Sequence, residues 1–490
     1  MATPIPENRA RFTAVEIAQA TGGALRGPPV VAEGLTTDTR VARARPGGVF
    51  VALVGERLDG HDFLPSVDGH AAVVVCARGR GDSVRESAVV EVDDTLVAWA
   101  ALAEAHLAAW REQEAPSRRT VCVTGSAGKT TTKELTAALL ARGGTVQRTR
   151  GNLNNRVGMP ATAFTVDAAH RFAVLELGMS VPGEIRAMAA AARPDVAIIT
   201  NVGVAHAEGV GGRPGVAREK GDLVAHLRPD GVAVLNADCD TLPTLRARST
   251  GARVVTFGRA AAADYRLVAR AVEPREGSVL TIARTPLGSP TEALLRVRFP
   301  LLGEHAAIDL LAALAAAEAA LGAPLTASDI EAAVPRAELH GRGSLHVLGN
   351  GAWVIDDSYN ANPGSVAAAL AALAEQGAGR RKIAVLGEMR ELGALAEAEH
   401  DALAARVLEA KVDVLVSCGG LISRTAALVR AAGVPTFDFI DAEEAATFVT
   451  SVVVSSDIVL VKGSRSIATE RVVAALARSF GAPGTSPEPA

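Results

Sequence analysis

Lysine is scarce in this chain of 490 residues: six, at positions 129, 133, 220, 382, 411 and 462, stand among 50 basic residues. Arginine is the default cation, and a lysine therefore carries added information, because a compact ammonium with a shiftable pKa does work that a guanidinium cannot. There is no long basic block, and the net charge is -4. Nucleic-acid binding needs a concentrated positive surface, so that class is excluded and any phosphate is held locally. The four cysteines, Cys76, Cys122, Cys239 and Cys418, are too scattered for a disulfide framework or a thiolate metal site. Cys76 and Cys122 lie in valine-rich runs and read as small buried apolar residues, which suits a reducing compartment. No segment approaches the roughly 20 uninterrupted apolar residues of a membrane span. The opening "MATPIPENRA" lacks the basic stretch and apolar run of a secretory leader. The expectation is a cytoplasmic protein with no membrane contact.

What is present is core-forming sequence. Hydrophobic residues make up 49% and charged residues 21%, a composition that buries sizeable cores rather than staying disordered. The length predicts about three domains at roughly 150 residues each. The first block, to residue 112, has helical spacing at "FTAVEIAQATGG" and "TLVAWAALAEAHLAAW", with short strands such as "GGVFVAL" and "AAVVVCA" between. The charged stretch "REQEAPSRR" reads as a linker. The second block alternates helices with continuous apolar runs, "TVCVTG", "FAVLELG", "DVAIITNVG", "GVAVLNAD" and "ARVVTFG", the pattern of parallel strands covered on both faces. Its end, "YRLVARAVEP" and "SVLTIARTP", predicts a small antiparallel appendage. A third block from residue 337 repeats the α/β rhythm with "AWVIDDS", "KIAVLGEM", "VDVLVSCG" and "DIVLVKGS". The tail "GAPGTSPEPA" reads as disordered.

The richest stretch is "VCVTGSAGKTTTKEL". A strand ending in Gly125-Ser126-Ala127-Gly128 curls tightly enough for successive backbone N–H groups to converge on one anion, and the following helix adds its positive end. Lys129 then reaches the outer phosphates, and Thr130 offers a hydroxyl to Mg²⁺. The full P-loop pattern has a glycine where Val123 stands, so this is the shortened form T-G-x-x-G-K-T. Later strands of the block also end in polar residues: Glu176, then Asn201 and His206, then Asn236 and Asp238. A carboxylate and an imidazole on that edge suit Mg²⁺ carrying nucleotide phosphates. The asparagines of "TRGNLNNRVGMP" read first as a turn, and Lys220 of "AREKGDLV" first as an exposed partner of Asp222.

In this order and spacing, "TGSAGKTTTKE", "GNLNNRVGMP", "LELGMS", "ITNVGVAHAEGVGG", "EKGDLV", "IDDSYNANPGS", "LGEMRELG" and "VKGSRS" resemble the Mur ligases of bacterial cell-wall synthesis. The likeness covers nearly the whole chain. "TTDTRVARARPGGVFVALVGERLDGHDFL" is similar to the uridine-nucleotide domain of the members that add the third residue or the terminal dipeptide, and "IDDSYNANPGS" favours the dipeptide-adding members. The resemblance implies an α/β fold of three domains: a small α/β UDP-binding domain over 1–112, a central P-loop ATPase-like domain with a parallel sheet over 113–336, and a C-terminal Rossmann-like α/β domain over 337–480, with a disordered tail at 481–490.

It also implies an ATP-dependent amide ligase of peptidoglycan precursor synthesis that joins D-alanyl-D-alanine to UDP-N-acetylmuramoyl-tripeptide through an acyl phosphate and releases ADP and phosphate; a monomer is the expectation. By the same resemblance Gly125, Ser126, Ala127, Gly128, Lys129, Thr130 and Thr131 bind ATP, with Arg342, Asp357 and Asn360 reaching it from the third block. Lys129, Glu176, His206 and Lys220 are the catalytic set. Thr130 and Glu176 hold one Mg²⁺, and His206 holds a second, with Lys220 as a carbamate ligand formed from carbon dioxide. Thr36, Asp38 and Arg40, in the uridine-nucleotide segment, bind substrate, as do Asn152, Asn154 and Asn155, Tyr359 and Asn362 face the dipeptide, and Lys462 and Arg465 lie near substrate. One departure stands out: the family's adenine-side asparagines in G-x-H-N-x-x-N are replaced by Ala306 and Asp309, which puts the base contact in doubt. A ligase adding the third residue, a folylpolyglutamate-type enzyme and a non-catalytic nucleotide switch are the rival readings.

Overall fold

The computed structural model describes residues 5–112, 118–203, 210–249, 251–285 and 292–481. Residues 482–490 of the expected tail, most of the expected linker and His206 lie outside the described residues. Within them the architecture is α/β, built on a five-stranded, a nine-stranded and a six-stranded sheet, with a two-stranded ribbon near the N-terminus.

The five-stranded sheet runs in the order Ala24–Arg26, Ala88–Val92, Val73–Ala77, Val49–Val51, Leu35–Thr36, and all but the first pairing are parallel. Its valine-rich strands are buried on both faces, as parallel sheets require. The helix Thr95–Glu112 leaves this unit and packs on the next one: the Trp99 indole donates to the Val157 carbonyl at 3.0 Å, and its ring meets Phe164 edge-on at 4.7 Å.

In the nine-stranded sheet, Arg119–Thr124 lies between Phe172–Glu176 and Val196–Ile199, with Val232–Asn236 and Arg253–Gly258 beyond. All these pairings are parallel, and Glu176 stands beside Val123 while Ile199 stands beside Thr124. Their carboxyl ends therefore form one edge, where open α/β sheets receive ligands. The strands after residue 265 are antiparallel to one another, as the sequence suggests, and are joined to the large sheet. Tyr265–Glu273 pairs in parallel with Arg253–Gly258 through Phe257 and Gly258, so the antiparallel strands Gly277–Arg284 and Ala293–Phe299 extend the same sheet.

The helix after the glycine loop, Lys129–Leu140, opens with three threonines, which are weak helix formers. Packing holds it: Thr132 to Leu140 are buried, against the sheet and against the alanine-rich helix Gly303–Leu321, itself almost wholly buried. The six-stranded sheet places Trp353–Asp356, Asp457–Lys462 and Arg381–Gly387 side by side in parallel, so the residues after their carboxyl ends also share an edge. Among the described residues no helix is long and apolar enough to cross a membrane.

Candidate active site

The loop after Arg119–Thr124 closes around its own main chain. Gly128 holds φ at +76°, a left-handed value that favours glycine, and a Cβ there would run into the Asp309 carboxylate. A Cβ on Gly125 would collide with the Thr200 hydroxyl. The amides of Ser126 and Ala127 converge on one oxygen, Asn201 Oδ1, at 3.0 and 2.9 Å. That convergence shows a nest able to hold a phosphate oxygen. Lys129 Nζ donates to the Gly125 carbonyl at 2.9 Å. Burial lowers the pKa of this partly exposed lysine, and the nearby Glu176 carboxylate offsets part of the effect.

Beside the loop, the Thr130 hydroxyl donates to Glu176 Oε2 at 3.0 Å, and Asn154 Nδ2 donates to Glu176 Oε1 at 2.9 Å. Glu176 is 2% exposed. Among the described residues no three His, Cys, Asp or Glu side chains gather into a metal cage. One hydroxyl beside one carboxylate nevertheless fits Mg²⁺, which takes one or two protein carboxylates and completes its shell with water and phosphate oxygens.

Lys220, on the helix Gly212–Ala225, is 2% exposed. Its reading as an exposed salt bridge fails, because Asp222 pairs with Arg248 instead. Burial, and secondarily the charge of Lys129, bring the Lys220 ammonium down to about 7.

From the six-stranded side, Arg342 Nη2 reaches across to donate to the Thr130 hydroxyl at 3.1 Å, and its guanidinium stacks 3.9 Å over the Tyr359 ring. The Arg465 guanidinium lies 5.5 Å from the same ring and pairs with Glu470 at 2.9 Å. Lys462, 2% exposed, binds Asp357 Oδ2 at 2.6 Å and the Asn360 carbonyl at 2.9 Å. Thus the loop residues, Glu176, Asn154, Lys220, Arg342 and Tyr359 come together, with Asp357, Asn360 and Lys462 as an adjoining cluster. Asn362 and Asn155 are otherwise engaged. Asn362 caps the helix Pro363–Gln376 by accepting from Ser365 N at 2.9 Å, and Asn155 Oδ1 accepts from Gly158 N at 2.8 Å at the start of Gly158–Ala163.

Thr36, Asp38 and Arg40 lie apart, in a cleft of about 1290 Å³ in the first unit. The cleft is also lined by Arg45, Phe50 and Val157, the last from the loop that carries Asn152 and Asn154. Asp38 caps Thr39–Ala44 and pairs with Arg40 at 2.6 Å, a hydrogen bond that holds its carboxyl below the usual range.

Nothing in the sequence marks Asn201 as an acceptor or gives Lys133 a role, and the family pattern sets Asp309 on the adenine side. Here Asp309 lies behind the glycine loop, 8% exposed, facing Gly128 and Thr132. Its contact with the buried Thr132 hydroxyl misses hydrogen-bond geometry, and that hydroxyl makes no bond among the described residues. Burial pushes the Asp309 carboxyl up to about 8 from an ordinary 3.8. The folded chain therefore retains a proton that the unfolded chain releases near pH 4. This group's contribution to stability is complete below that value and is lost as pH rises through 8. Asp309→Asn, which cannot ionise, should gain thermal stability on the parent as pH rises from about 4 to 8, the difference levelling off above that. At about 2–4 °C per kcal/mol the gain is measurable by calorimetry, and parallel melting curves for the two proteins would contradict it.

Residues 123–317 match the Mur ligase middle domain, and residues 341–465 match the Mur ligase, glutamate ligase domain. The UDP-N-acetylmuramoyl-tripeptide--D-alanyl-D-alanine ligase of Escherichia coli (strain K12) is 36% identical over 93% of this chain and 96% of that protein. The crystal structure of MurF from Acinetobacter baumannii superposes with a TM-score of 0.81 at 31% identity, covering 97% of this chain and all of that one. MurF ligase from Thermotoga maritima in complex with ADP gives 0.76 at 27% identity, over 91% of this chain and 97% of that one. With its glycine loop, buried carboxylate and bridging arginine set beside these matches, the chain belongs to the Mur ligase family, among its UDP-N-acetylmuramoyl-tripeptide--D-alanyl-D-alanine ligases.

Proposed function

We infer that the chain joins D-alanyl-D-alanine to UDP-N-acetylmuramoyl-tripeptide, consuming ATP and releasing ADP and phosphate. The observation that carries this reading is the meeting at Thr130 of two halves of a phosphoryl-transfer site: Glu176 on one side and Arg342, from the other sheet, on the opposite side.

A peptide carboxylate is a poor electrophile. Its oxygen attacks the γ-phosphorus of ATP, the bond to the bridging oxygen breaks, and ADP leaves an acyl phosphate. The dipeptide amine then attacks the acyl carbon, loses a proton and expels phosphate. The first step brings two anions together, so catalysis is mainly charge neutralisation and in-line placement. The amides of Gly125 to Thr131 cradle the phosphates. Lys129 exchanges its bond to the Gly125 carbonyl for an outer phosphate oxygen, and Arg342 adds a second cation.

Mg²⁺, held by Thr130 and Glu176, supplies further positive charge at the phosphates when bound. A second ion is assigned to His206 with carbamylated Lys220, whose near-neutral amine suits addition to carbon dioxide. Asp357, Asn360 and Lys462 approach the nucleotide and substrate from the six-stranded side, Tyr359, Asn362 and Arg465 stand on the dipeptide side, and the first-unit cleft takes the uridine nucleotide through Thr36, Asp38 and Arg40. Asn152, Asn154 and Asn155 are assigned to substrate binding. Domain division at 1–112, 113–336 and 337–480, a monomeric state and a cytoplasmic location complete the reading.

The test is a product-mass assay with the UDP-linked tripeptide and a panel of amines. ADP release and a product heavier by one dipeptide should depend on D-alanyl-D-alanine. Turnover with glutamate, lysine or diaminopimelate instead would assign a different ligase, and nucleotide binding without an amide product would leave only a switch.

A further inference from the structure

Four of the six lysines gather at this site: Lys129, Lys133, Lys220 and Lys462. Lys133 is the one without a role so far. It lies one helical turn beyond Lys129 and is 1% exposed. Its Nζ donates to the Thr149 carbonyl at 2.6 Å and stands 2.9 Å from Glu134 Oε1 and 3.9 Å from Glu176 Oε2. Thr149 in turn accepts the backbone N–H of Glu176 on its hydroxyl at 2.9 Å. One ammonium therefore bears on Glu176 twice, by charge at the carboxylate and through Thr149 at the main chain. Glu134 does not depend on it alone, since Arg148 pairs with Glu134 at 2.6 Å.

Stability gives little reason to bury this charge. Taking an ammonium out of water is expensive, and an apolar side chain of the same shape often serves a core equally well. Orientation does give a reason, because a carboxylate that must receive a divalent ion needs its rotamer fixed before the ion arrives. Thr130 and Asn154 contact its two oxygens, while the ammonium acts from the buried helix below.

We propose that Lys133 is a positioning residue that sets the Glu176 carboxylate for divalent-ion binding. The proposal rests on the reading of Glu176 as an ion ligand. Its test is Mn²⁺ binding to the full-length protein in the presence of ADP, followed by electron paramagnetic resonance, for the parent and for Lys133→Met. Methionine matches the length of the stem and leaves Glu134 paired with Arg148. The Mn²⁺ dissociation constant should rise about tenfold or more, the usual effect of removing a group that orients a metal ligand. In turnover the apparent constant for Mg²⁺ should rise more than kcat falls, with the melting temperature little changed. Lys133→Gln, which keeps a donor for the Thr149 carbonyl but no charge, should show the same loss.

A purely structural lysine would move the melting temperature and leave Mn²⁺ affinity alone. Folded variants that bind Mn²⁺ within twofold of the parent overturn the proposal by itself, and so does failure of both variants to fold. A parent that binds no Mn²⁺ with ADP overturns the reading of Glu176, and the proposal with it.

Discussion

Lys129→Ala should yield a folded protein with kcat lower by about 10³-fold or more, since single cations in phosphoryl-transfer sites contribute about 10³ to 10⁵. That loss corresponds to about 4 kcal/mol or more of barrier. The carboxylate that attacks ATP and the phosphoryl group that receives it are both negative, and their approach is uphill until positive charge is fixed between them. The nest amides carry only partial charges. Lys129 is the ammonium attached directly to the loop, and the bond it makes here is to a loop carbonyl rather than to a structural carboxylate. The fold does not hang on it, because Thr132 to Leu140 pack the helix without it. The measurement is ADP release under saturating substrates, paired with a melting curve. A folded variant within tenfold of the parent would remove Lys129 from the chemistry. Arginine should not replace it, since a planar guanidinium does not fit a seat shaped for a compact ammonium.

Lys220→Ala should be almost as inactive, and here a small carboxylate such as acetate or formate should restore part of the turnover. The argument begins from burial. An ammonium 2% exposed and within reach of the charge on Lys129 is held at about 7, so near neutrality a large share is neutral amine. Neutral amine adds to carbon dioxide: the N–C bond forms, one proton leaves, and a cation becomes an anion. Repulsion from Lys129 turns into attraction, and an anionic ligand is created on the edge that handles the phosphates. Alanine leaves a cavity of suitable polarity for a small carboxylate to fill. A carbamate resonance from ¹³C-labelled bicarbonate, present in the parent and missing in the variant, checks the same point without turnover. Absence of rescue across a full concentration series, together with absence of that resonance, would reject the modification.

Both lysines stood out in the sequence because of local signals. Lys129 follows a strand and a small-residue turn, and Lys220 falls within a motif shared with the family. Most inner strands of the three principal sheets are equally plain, since they are continuous valine-rich runs separated by alanine-rich helices, whereas short edge strands such as Val146–Arg148 and Thr436–Phe439 carry no such run. The failures were non-local. The appendage expected near residue 265 joins the large sheet because two residues, Phe257 and Gly258, pair with Tyr265 and Arg266, and no short window of sequence encodes that register. The contact of Asp309 with Gly128 spans the whole central unit. Lys133 carries no local signal, since its partners Thr149 and Glu176 come from the ends of two later strands. For Asn362 a second signal is present: asparagine before proline, with serine three positions on, is a helix-start pattern, and the side chain caps Pro363–Gln376.

The phosphate loop bonds to its own chain: Asn201 accepts from two amides of the nest, Lys129 donates to a carbonyl, and the Thr130 hydroxyl donates to Glu176. Nucleotide entry is therefore an exchange of partners, in which bonds already made are given up for bonds of similar number. The heat evolved in a calorimetric titration will then be modest even where binding is tight, and the free energy will come largely from water and counterions set loose by the triphosphate.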